Sequence, residues 1–241
     1  MNSANIHEIW VYLAGTPLLG LLATLAAYAG AVRFAQYCRG HPLANPVLLS
    51  MCMLVPLLLA TGTPYRAFFD GAQFVHFLLG PTTVALAVPL VRAWPQIRAR
   101  AKALVAALVA GSAAGAVSAA MIAAALGATP ETVHSLVPKS VTTPIAMAIA
   151  ERIGGLPSLA AALVILTGVT GAVTAPFLFR LLGVRGDPER GFAMGVASHG
   201  IGTARALQLS ETAGAYAALG MGLNGSLSAV AIPLVAAWLV R

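Results

Sequence analysis

The sequence predicts an all-α, polytopic helical membrane protein, because its composition cannot supply a solvated surface and its apolar stretches can cross a bilayer. Hydrophobic residues make up 59% of the 241 positions and charged residues 9%, and the mean hydropathy is +0.87. A soluble domain carries about 25% charged residues, and about 20 apolar residues span a bilayer as a helix. Four segments reach that length: 10–32, 103–127, 157–179 and 213–240. We expect one transmembrane domain, residues 1–241, with about six to eight membrane segments.

Basic residues between the apolar segments predict the orientation of the chain. The net charge is +7. In a membrane protein an excess of basic residues between apolar segments orients the chain, so we predict no nucleic-acid partner. Three connections carry most of this charge: 33–42, 92–102 and 180–190. The positive-inside rule places them in the cytoplasm and places the N-terminus, 61–70 and 127–131 outside. Helices near 45–62 and 70–92 complete this alternation.

The same charge pattern requires a segment that does not cross. The chain is outside near residue 130 and inside near residue 180, yet 131–153 and 157–179 lie between them, and two full crossings would return the chain to its starting side. Segment 131–153 is too polar for an ordinary span, so we predict that it is re-entrant or broken. Irregular backbone at membrane depth is tolerated only inside protein or beside a water-filled cavity. The same reasoning applies to 191–211, which contains "ASHGIGTARALQL".

Three polar-interrupted segments recur, each before a long helix, and suggest an internal repeat. They are "FVHFLLGPTTVALAVPL" (74–90), "TVHSLVPKSVTTPIAMAI" (132–149) and "GFAMGVASHGIGTARALQL" (191–209). The N-terminal helices, 1–102, hold a first broken segment at 70–92, and the C-terminal half, 103–241, holds those at 131–153 and 191–211. Such interruptions point to a transporter site, although Gly and Pro are also simply frequent in membrane helices.

Helix starts at these breaks favour an anion. Thr143-Pro144, Gly80-Pro81 and Gly202-Thr203 each resemble a helix start. A half-helix that begins at membrane depth presents free N–H groups and a positive dipole end. Lys139 and Arg205 add formal positive charge, and an Arg fork can hold a carboxylate bidentately. The predicted ligand is therefore a small hydroxy or keto carboxylate.

The candidate substrate-binding residues share polar side chains at or near the breaks. They are Thr82, Thr83, Lys139, Thr142, Thr143, Ser198, His199, Thr203, Arg205, Gln208 and Asn224. Alternatives remain for several of them. Lys139 or Arg205 could form an ion pair with Glu151 or Glu211. His199 could be a proton carrier or a histidine satisfied by ordinary hydrogen bonds. Asn224 could join helices, and stripes such as Gly168, Ala172 and Ala175 are typical of close helix packing.

Enzymatic activity is not expected, because the usual signatures are missing. No HExxH, GxSxG or Cys/His ligand spacing occurs. Ser198 and His199 are sequence neighbours without an acidic orienting group, unlike a nucleophile and its base. We therefore predict no catalytic residues, no cofactor and no metal, and leave the coupling ion open between proton and sodium.

Four strings resemble the LrgB/CidB family of bacterial inner-membrane proteins: "LGPTTVALAVPL" (79–90), "PKSVTTPIAMAIAERIGGLPSL" (138–159), "ASHGIGTARAL" (197–207) and "MGLNG" (221–225). The resemblance implies a multi-pass protein of the bacterial cytoplasmic membrane. It also implies either a holin- or antiholin-like modulator of murein hydrolase export and autolysis, which works by oligomerisation, or a carboxylate carrier. The carrier alternative comes from similarity to the C-terminal half of the plastidial glycolate/glycerate transporter.

The resemblance also implies partners and contains two departures. A small LrgA/CidA-type membrane protein and further copies of the chain are the expected partners, besides the lipid bilayer and a small carboxylate anion. Ala148 and Gln208 stand where the family is expected to have acidic residues. Both departures weaken a coupling role for acids there, and they leave Lys139 and Arg205 in place. We prefer a carrier of glycolate, glycerate, pyruvate or lactate.

Overall fold

The computed structural model describes residues 17–38 and 44–239, and within them the chain is helical without strands, as predicted. The helices are α1 (Pro17–Tyr37), α2 (Pro46–Thr61), α3 (Tyr65–Phe77), α4 (Leu79–Ala85), α5 (Ala87–Arg92), α6 (Trp94–Ala99), α7 (Ala101–Ala125), α8 (Pro130–Leu136), α9 (Thr143–Arg152), α10 (Pro157–Leu181), α11 (Asp187–Leu209) and α12 (Glu211–Leu239). The chain divides into two compact units, Met1–Ala85 and Leu86–Arg241. Their boundary falls inside the predicted first broken segment, 70–92.

Four described helices are long and apolar enough to cross a membrane. They are Leu18–Tyr37, Ala101–Ala125, Pro157–Leu181 and Glu211–Trp238. A fifth crossing is added if Tyr65–Val75 and Gly80–Arg92, which bend by 40° at their break, count as one. The prediction of six to eight membrane segments, with two or three of them broken or re-entrant, is slightly more than these described helices show. The predicted helix near 45–62 is α2, which has 16 residues and is shorter than the four long helices. For the predicted span 10–32, positions 10–16 lie outside the described residues.

In the first unit, α1 packs against α2 and α3. Gly20 allows the closest approach, since a Cβ there would overlap the carbonyl oxygen of Phe68 on α3. Helix α2 begins after Asn45, whose Oδ1 accepts from the backbone N–H groups of Val47 at 2.9 Å and Leu48 at 3.2 Å. The first helix thus packs on both α2 and α3, and the Asn45 cap fixes where α2 begins.

The predicted broken segment 70–92 is confirmed as discontinuous. Its chain is divided among α3, α4 and α5, with interruptions at Leu78 and Leu86. Helix α4 begins at Leu79, one residue before the predicted Gly80-Pro81 start. Glycine and proline lie inside its first turn, where proline needs no N–H partner.

In the second unit, the chain between Ser135 and Leu156 forms a hairpin, as predicted for 131–153. Its ends are joined because Ser135 Oγ accepts from the N–H of Leu156 at 2.7 Å. Gly155 packs against Ser135, and a Cβ on that glycine would lie 2.8 Å from the Ser135 nitrogen. Between these ends the chain turns at 137–142 and returns along α9. We name this the first hairpin, with its tip at 138–143.

Helix α11 is a second hairpin rather than a straight span. Its backbone leaves helical geometry at Ser198 (φ −130°, ψ 17°) and His199 (φ 42°, ψ −132°). The ends meet because Ser210 Oγ donates to Asp187 Oδ2 at 2.7 Å. Segment 191–211 therefore folds back on itself, as predicted, and the tip of this second hairpin is at 196–201, since Gly202 already packs against the Met194 carbonyl of the other limb.

The order of elements contains the same sequence twice, a long helix followed by a hairpin. Helix α7 crosses and is followed by the first hairpin, and α10 crosses and is followed by the second. The first hairpin begins beside the end of α7 and closes beside the start of α10.

Small residues let α12 pack along the second hairpin. A Cβ at Gly191 would overlap the carbonyl oxygen of Ala213, and a Cβ at Gly195 would overlap that of Ala217. Gly220 lies against the Phe192 carbonyl, where a Cβ would be 2.7 Å away. This close backbone contact is the packing expected of small residues in membrane helices.

Candidate functional site

The two hairpin tips meet at Asn224, in the middle of α12. Its side chain is 1% exposed. Its Nδ2 donates to the carbonyl oxygen of Ser140 in the first hairpin at 3.1 Å and to that of Val196 in the second at 3.0 Å. Its Oδ1 accepts from Ser112 Oγ on α7 at 2.6 Å and from Ser228 Oγ at 3.3 Å. Asn224 therefore joins both tips to two crossing helices, as the helix-joining alternative predicts.

Lys139 lies at the tip of the first hairpin. Its half-buried Nζ donates to the carbonyl oxygen of Gly115, midway along α7, at 2.9 Å, and lies 3.5 Å from Ser140 Oγ. The ion pairs of the described residues do not include it, and neither predicted partner, Glu151 or Glu211, binds it. Its charge is held by neutral oxygens beside the meeting point of the tips.

Helix α9 begins at the first tip, and its cap differs by one residue from the prediction. Thr142 occupies the N-cap with extended backbone, Thr143 is the first helical residue and Pro144 the second. The helix thus begins one residue earlier than the Thr143 cap that the Thr143-Pro144 pair predicts. Thr142 makes no side-chain capping bond. The N-terminus of this ten-residue helix is the positive end of its dipole. It therefore lies at the tip and is not capped by the hydroxyl of Thr142.

The break of the second tip lies at Ser198 and His199, which corrects the predicted start at Gly202-Thr203. A φ of 42° is rare outside glycine. The buried ring Nε2 lies 3.0 Å from the Val164 carbonyl oxygen, and Thr203 Oγ1 donates to the His199 carbonyl at 2.8 Å. The ring contact is the one expected of a histidine satisfied by ordinary hydrogen bonds.

Glycines on α10 make room for this break. A Cβ at Gly168 would lie 2.7 Å from His199 Cε1, and a Cβ at Gly171 would overlap Ser198 Oγ. Gly168 is buried, as are Ala172 and Ala175 of the same stripe. The predicted packing role of this stripe is confirmed, and its partner is the irregular tip.

Arg205 and Gln208 lie farther along the second hairpin, away from its tip. Arg205 Nη1 donates to Gln208 Oε1 at 2.8 Å, so the predicted shared face is confirmed. Arg205 is half-buried and Gln208 is exposed. Thr82 and Thr83 belong to α4 of the first unit, where Thr82 is exposed. Of the candidate cations, Lys139 is the one at a tip.

A groove in the second unit leads toward Lys139. It measures about 430 Å³ and begins at the 2.9 Å ion pair between Arg100 and Glu189. It reaches Gly115, whose carbonyl binds Lys139. The hydroxyl of Tyr216 is buried and has no hydrogen-bond partner among the described residues. The lining residues are Arg100, Ala103, Leu104, Ala107, Gly111, Gly115, Pro188, Glu189, Phe192, Ala193, Val196, Ala197 and Tyr216.

Sequence reasoning missed three polar residues of this region. Ser112 and Ser140 bind or flank Asn224, and Tyr216 contributes a hydroxyl to the groove. Tyr216 carried a usable signal, since it is a lone phenol within "ETAGAYAALG". The two serines carried no comparable signal, because serine is common in membrane helices and its hydroxyl readily donates to a carbonyl oxygen of its own helix.

Long apolar helices, two hairpins and a polar joint at their tips define a multi-pass helical membrane protein. The chain belongs to the LrgB-like family, whose family model matches residues 24–238. It is 33% identical to the uncharacterized protein YwbG of Bacillus subtilis over 90% of this chain and 96% of that one. It is 34% identical to YxaC of the same organism, over 91% and 94%.

A further relative carries a functional name. The holin-like protein CidB of Staphylococcus epidermidis is 28% identical over 90% of this chain and 95% of that one. No solved structure matches the chain. The resemblance to the LrgB/CidB family is thus confirmed.

Proposed function

We propose that this protein carries small monocarboxylates, of the glycolate, glycerate, pyruvate or lactate type, across the bacterial cytoplasmic membrane. The observation that carries the proposal is the meeting of two re-entrant tips at Asn224, with the cation of Lys139 beside them. Inverted repeats and broken helices at the midplane are features of secondary transporters. A protein that acted only by association would need packing surfaces and no charge at this depth.

Carboxylate chemistry suits the groups at the first tip. Lys139 supplies a positive charge that no carboxylate of the described ion pairs neutralises. The start of α9 adds N–H groups and a positive dipole end, and the hydroxyl of Thr142 is not used for capping. Neither "PKSVTT" nor "SHGIGT" contains an acidic residue. A small carboxylate would therefore meet attraction and no repulsion from the tips' own side chains.

The groove supports a route from the water interface to this position. It begins at the Arg100–Glu189 ion pair, where a charged solute can be solvated, and ends at the Lys139 acceptor Gly115. The phenol of Tyr216 offers a buried donor for a substrate oxygen along the way. Movement of the hairpins relative to α7 would then expose the site alternately to each side.

Uptake into proteoliposomes tests the proposal. Labelled glycolate and pyruvate are offered to vesicles that contain the purified chain, with and without a small LrgA/CidA-type membrane protein, our proposed partner. The chain has two lysines, and exposed Lys102 provides the matched control. We expect saturable uptake, with kcat/KM reduced about 10- to 100-fold by Lys139→Gln, because a charged hydrogen bond contributes about 1.5–3 kcal/mol. Lys102→Gln should behave as wild type.

Two results would count against this assignment. Equal uptake by Lys139→Gln and Lys102→Gln would mean that the carboxylate is held elsewhere. No saturable uptake with either composition would remove the carrier. In that case the question of proton or sodium coupling, which concerns only a gradient-driven carrier, would no longer arise.

The second candidate is a holin- or antiholin-like modulator of murein hydrolase export and autolysis, favoured by the name of the CidB relative. This activity would come from homo-oligomers that change permeability. It predicts release of an entrapped dye of several hundred daltons at a rate that rises steeply with protein density and is unaffected by Lys139→Gln. A carrier should retain the dye while it takes up glycolate.

A further inference from the structure

A second cavity of about 370 Å³ lies at the opposite end of α10 from the first hairpin, where α10 connects to α11. Three arginines line it, Arg180, Arg185 and Arg190, and no acidic residue does. Its other walls are mainly apolar and include Pro176, Phe179 and Leu209. The cavity therefore combines concentrated positive charge with a hydrocarbon-like surface.

The loop that shapes this cavity is fixed by hydrogen bonds. Helix α10 ends with Gly183 at φ 67°, and the N–H of Val184 donates to the Phe179 carbonyl at 2.9 Å. Arg190 Nε, from α11, donates to the Val184 carbonyl at 2.9 Å. The arginines of α10, the loop and α11 are thus held around one space before any ligand binds.

The acidic residues nearest in sequence bind other groups. Asp187 accepts from Ser210 Oγ at 2.7 Å, and Glu189 pairs with Arg100 at 2.9 Å. Arg180 and Arg185 are exposed and belong to neither of the ion pairs found in the described chain. The positive charge at the cavity is therefore not cancelled by these carboxylates.

The position of the cavity selects the ligand class. Leu181 and Leu182, beside it, are 81% and 71% exposed, as expected of residues in contact with lipid. The basic connection 180–190 is predicted to be cytoplasmic, and the cytoplasmic leaflet is rich in anionic lipid. Guanidinium groups bind phosphate oxygens bidentately. The shared chemistry is a phosphate oxyanion, and the apolar walls favour one attached to acyl chains.

We propose that this cavity binds the headgroup of an anionic phospholipid, with its phosphate held by Arg180, Arg185 and Arg190 and its acyl chain along Phe179. Because these arginines come from α10, the loop and α11, the lipid ties the base of the second hairpin to a crossing helix. The proposal is independent of the transported substrate, since the cavity and the Lys139 groove have no lining residue in common.

Binding of short-chain lipids to the detergent-purified full chain tests this site. The probes are dioctanoyl phosphatidylglycerol, dioctanoyl phosphatidylcholine and inorganic phosphate, measured by microscale thermophoresis. The variant is Arg180→Gln/Arg185→Gln, which spares the Arg190 bond to the loop. The control Arg98→Gln/Arg152→Gln removes the same charge from exposed positions elsewhere. Size-exclusion profiles identify any variant that does not fold, and single substitutions then replace the double one.

We expect phosphatidylglycerol to bind at least about tenfold more tightly than phosphatidylcholine, and the cavity variant to lose at least about tenfold in affinity for it. The control variant should stay within about twofold of wild type. Equal binding by the cavity variant and wild type would overturn the site. Equal binding of both lipids, or full competition by inorganic phosphate at equal concentration, would overturn the anionic-lipid assignment.

Discussion

Replacing Asn224 by leucine should separate the two hairpin tips. Leucine has a similar branched shape but neither donor nor acceptor, so the change removes all four hydrogen bonds of Asn224. The carbonyl oxygens of Ser140 and Val196 would then be left in a buried position without the donor that now binds them. Such carbonyls are costly at membrane depth.

The expected loss can be estimated from these bonds. Hydrogen bonds between membrane helices contribute about 0.6 kcal/mol on average, so four give about 2.4 kcal/mol. Unsatisfied carbonyl oxygens raise the cost toward about 4 kcal/mol. At about 2–4 °C per kcal/mol for a chain of this size, the unfolding midpoint should fall by about 5–16 °C.

Thermal unfolding in detergent, followed by the fluorescence of the three tryptophans, measures this loss. Ser228→Ala is the matched control, because it removes only the 3.3 Å bond to Asn224 Oδ1. That control should lower the midpoint by about 1–2 °C. The reasoning fails if Asn224→Leu and Ser228→Ala unfold within about 2 °C of each other.

Three further predictions concern the second hairpin. Gly171→Ala should cost about 1–3 kcal/mol by overlap with the tip, whereas Gly222→Ala, with open space around it, should be neutral in the same unfolding assay. His199→Gly should be about 1–2 kcal/mol more stable than His199→Ala, because both lose the ring but only glycine accepts φ 42° freely; equal midpoints would contradict a strained break. With both native cysteines replaced by serine, cysteines at Glu189 and Gln208 should react with an impermeant thiol reagent from the same membrane side. Labelling from opposite sides would mean that α11 crosses.

The distribution of basic residues predicted the re-entrant segments. The side of the membrane on which each connection lies is inferred from charges along the whole chain, so an error at a single residue does not change the prediction. The predicted outside position of 127–131 and the predicted inside position of 180–190 allowed one crossing where two segments were present. The hairpin between Ser135 and Leu156 explains how two segments can include only one crossing. Helix lengths followed similarly from the bilayer thickness, since α7 and α10 have 25 residues each.

The position of the second break was less predictable, because tertiary contacts override local preference there. The Gly202-Thr203 pair resembles a helix start, which favoured a break at that position. His199 adopts it instead, since Val164 binds its ring and Thr203 binds its carbonyl. Gly202 instead lies in the returning limb, packed against the Met194 carbonyl. The sequence contains no sign that the ring would find an acceptor 35 residues away.

The sequence also could not predict which of the two cations lies at a hairpin tip. Lys139 and Arg205 are equally near a predicted break, yet Lys139 reaches the carbonyl of Gly115 at a tip and Arg205 binds Gln208 on its own helix. Side-chain reach and helix rotation decide this difference. Asn224 likewise could be a site member or a joining residue until its four partners were known.

The joint between the hairpins has an evolutionary consequence. Asn224 donates hydrogen bonds to main-chain carbonyl oxygens of both tips, and every amino acid provides such an acceptor. Mutations at positions 140 and 196 therefore leave the acceptors chemically unchanged, provided that the new side chain fits. The lining of the proposed transport region could therefore diversify toward other solutes while a single amide side chain preserves the contact between the hairpins.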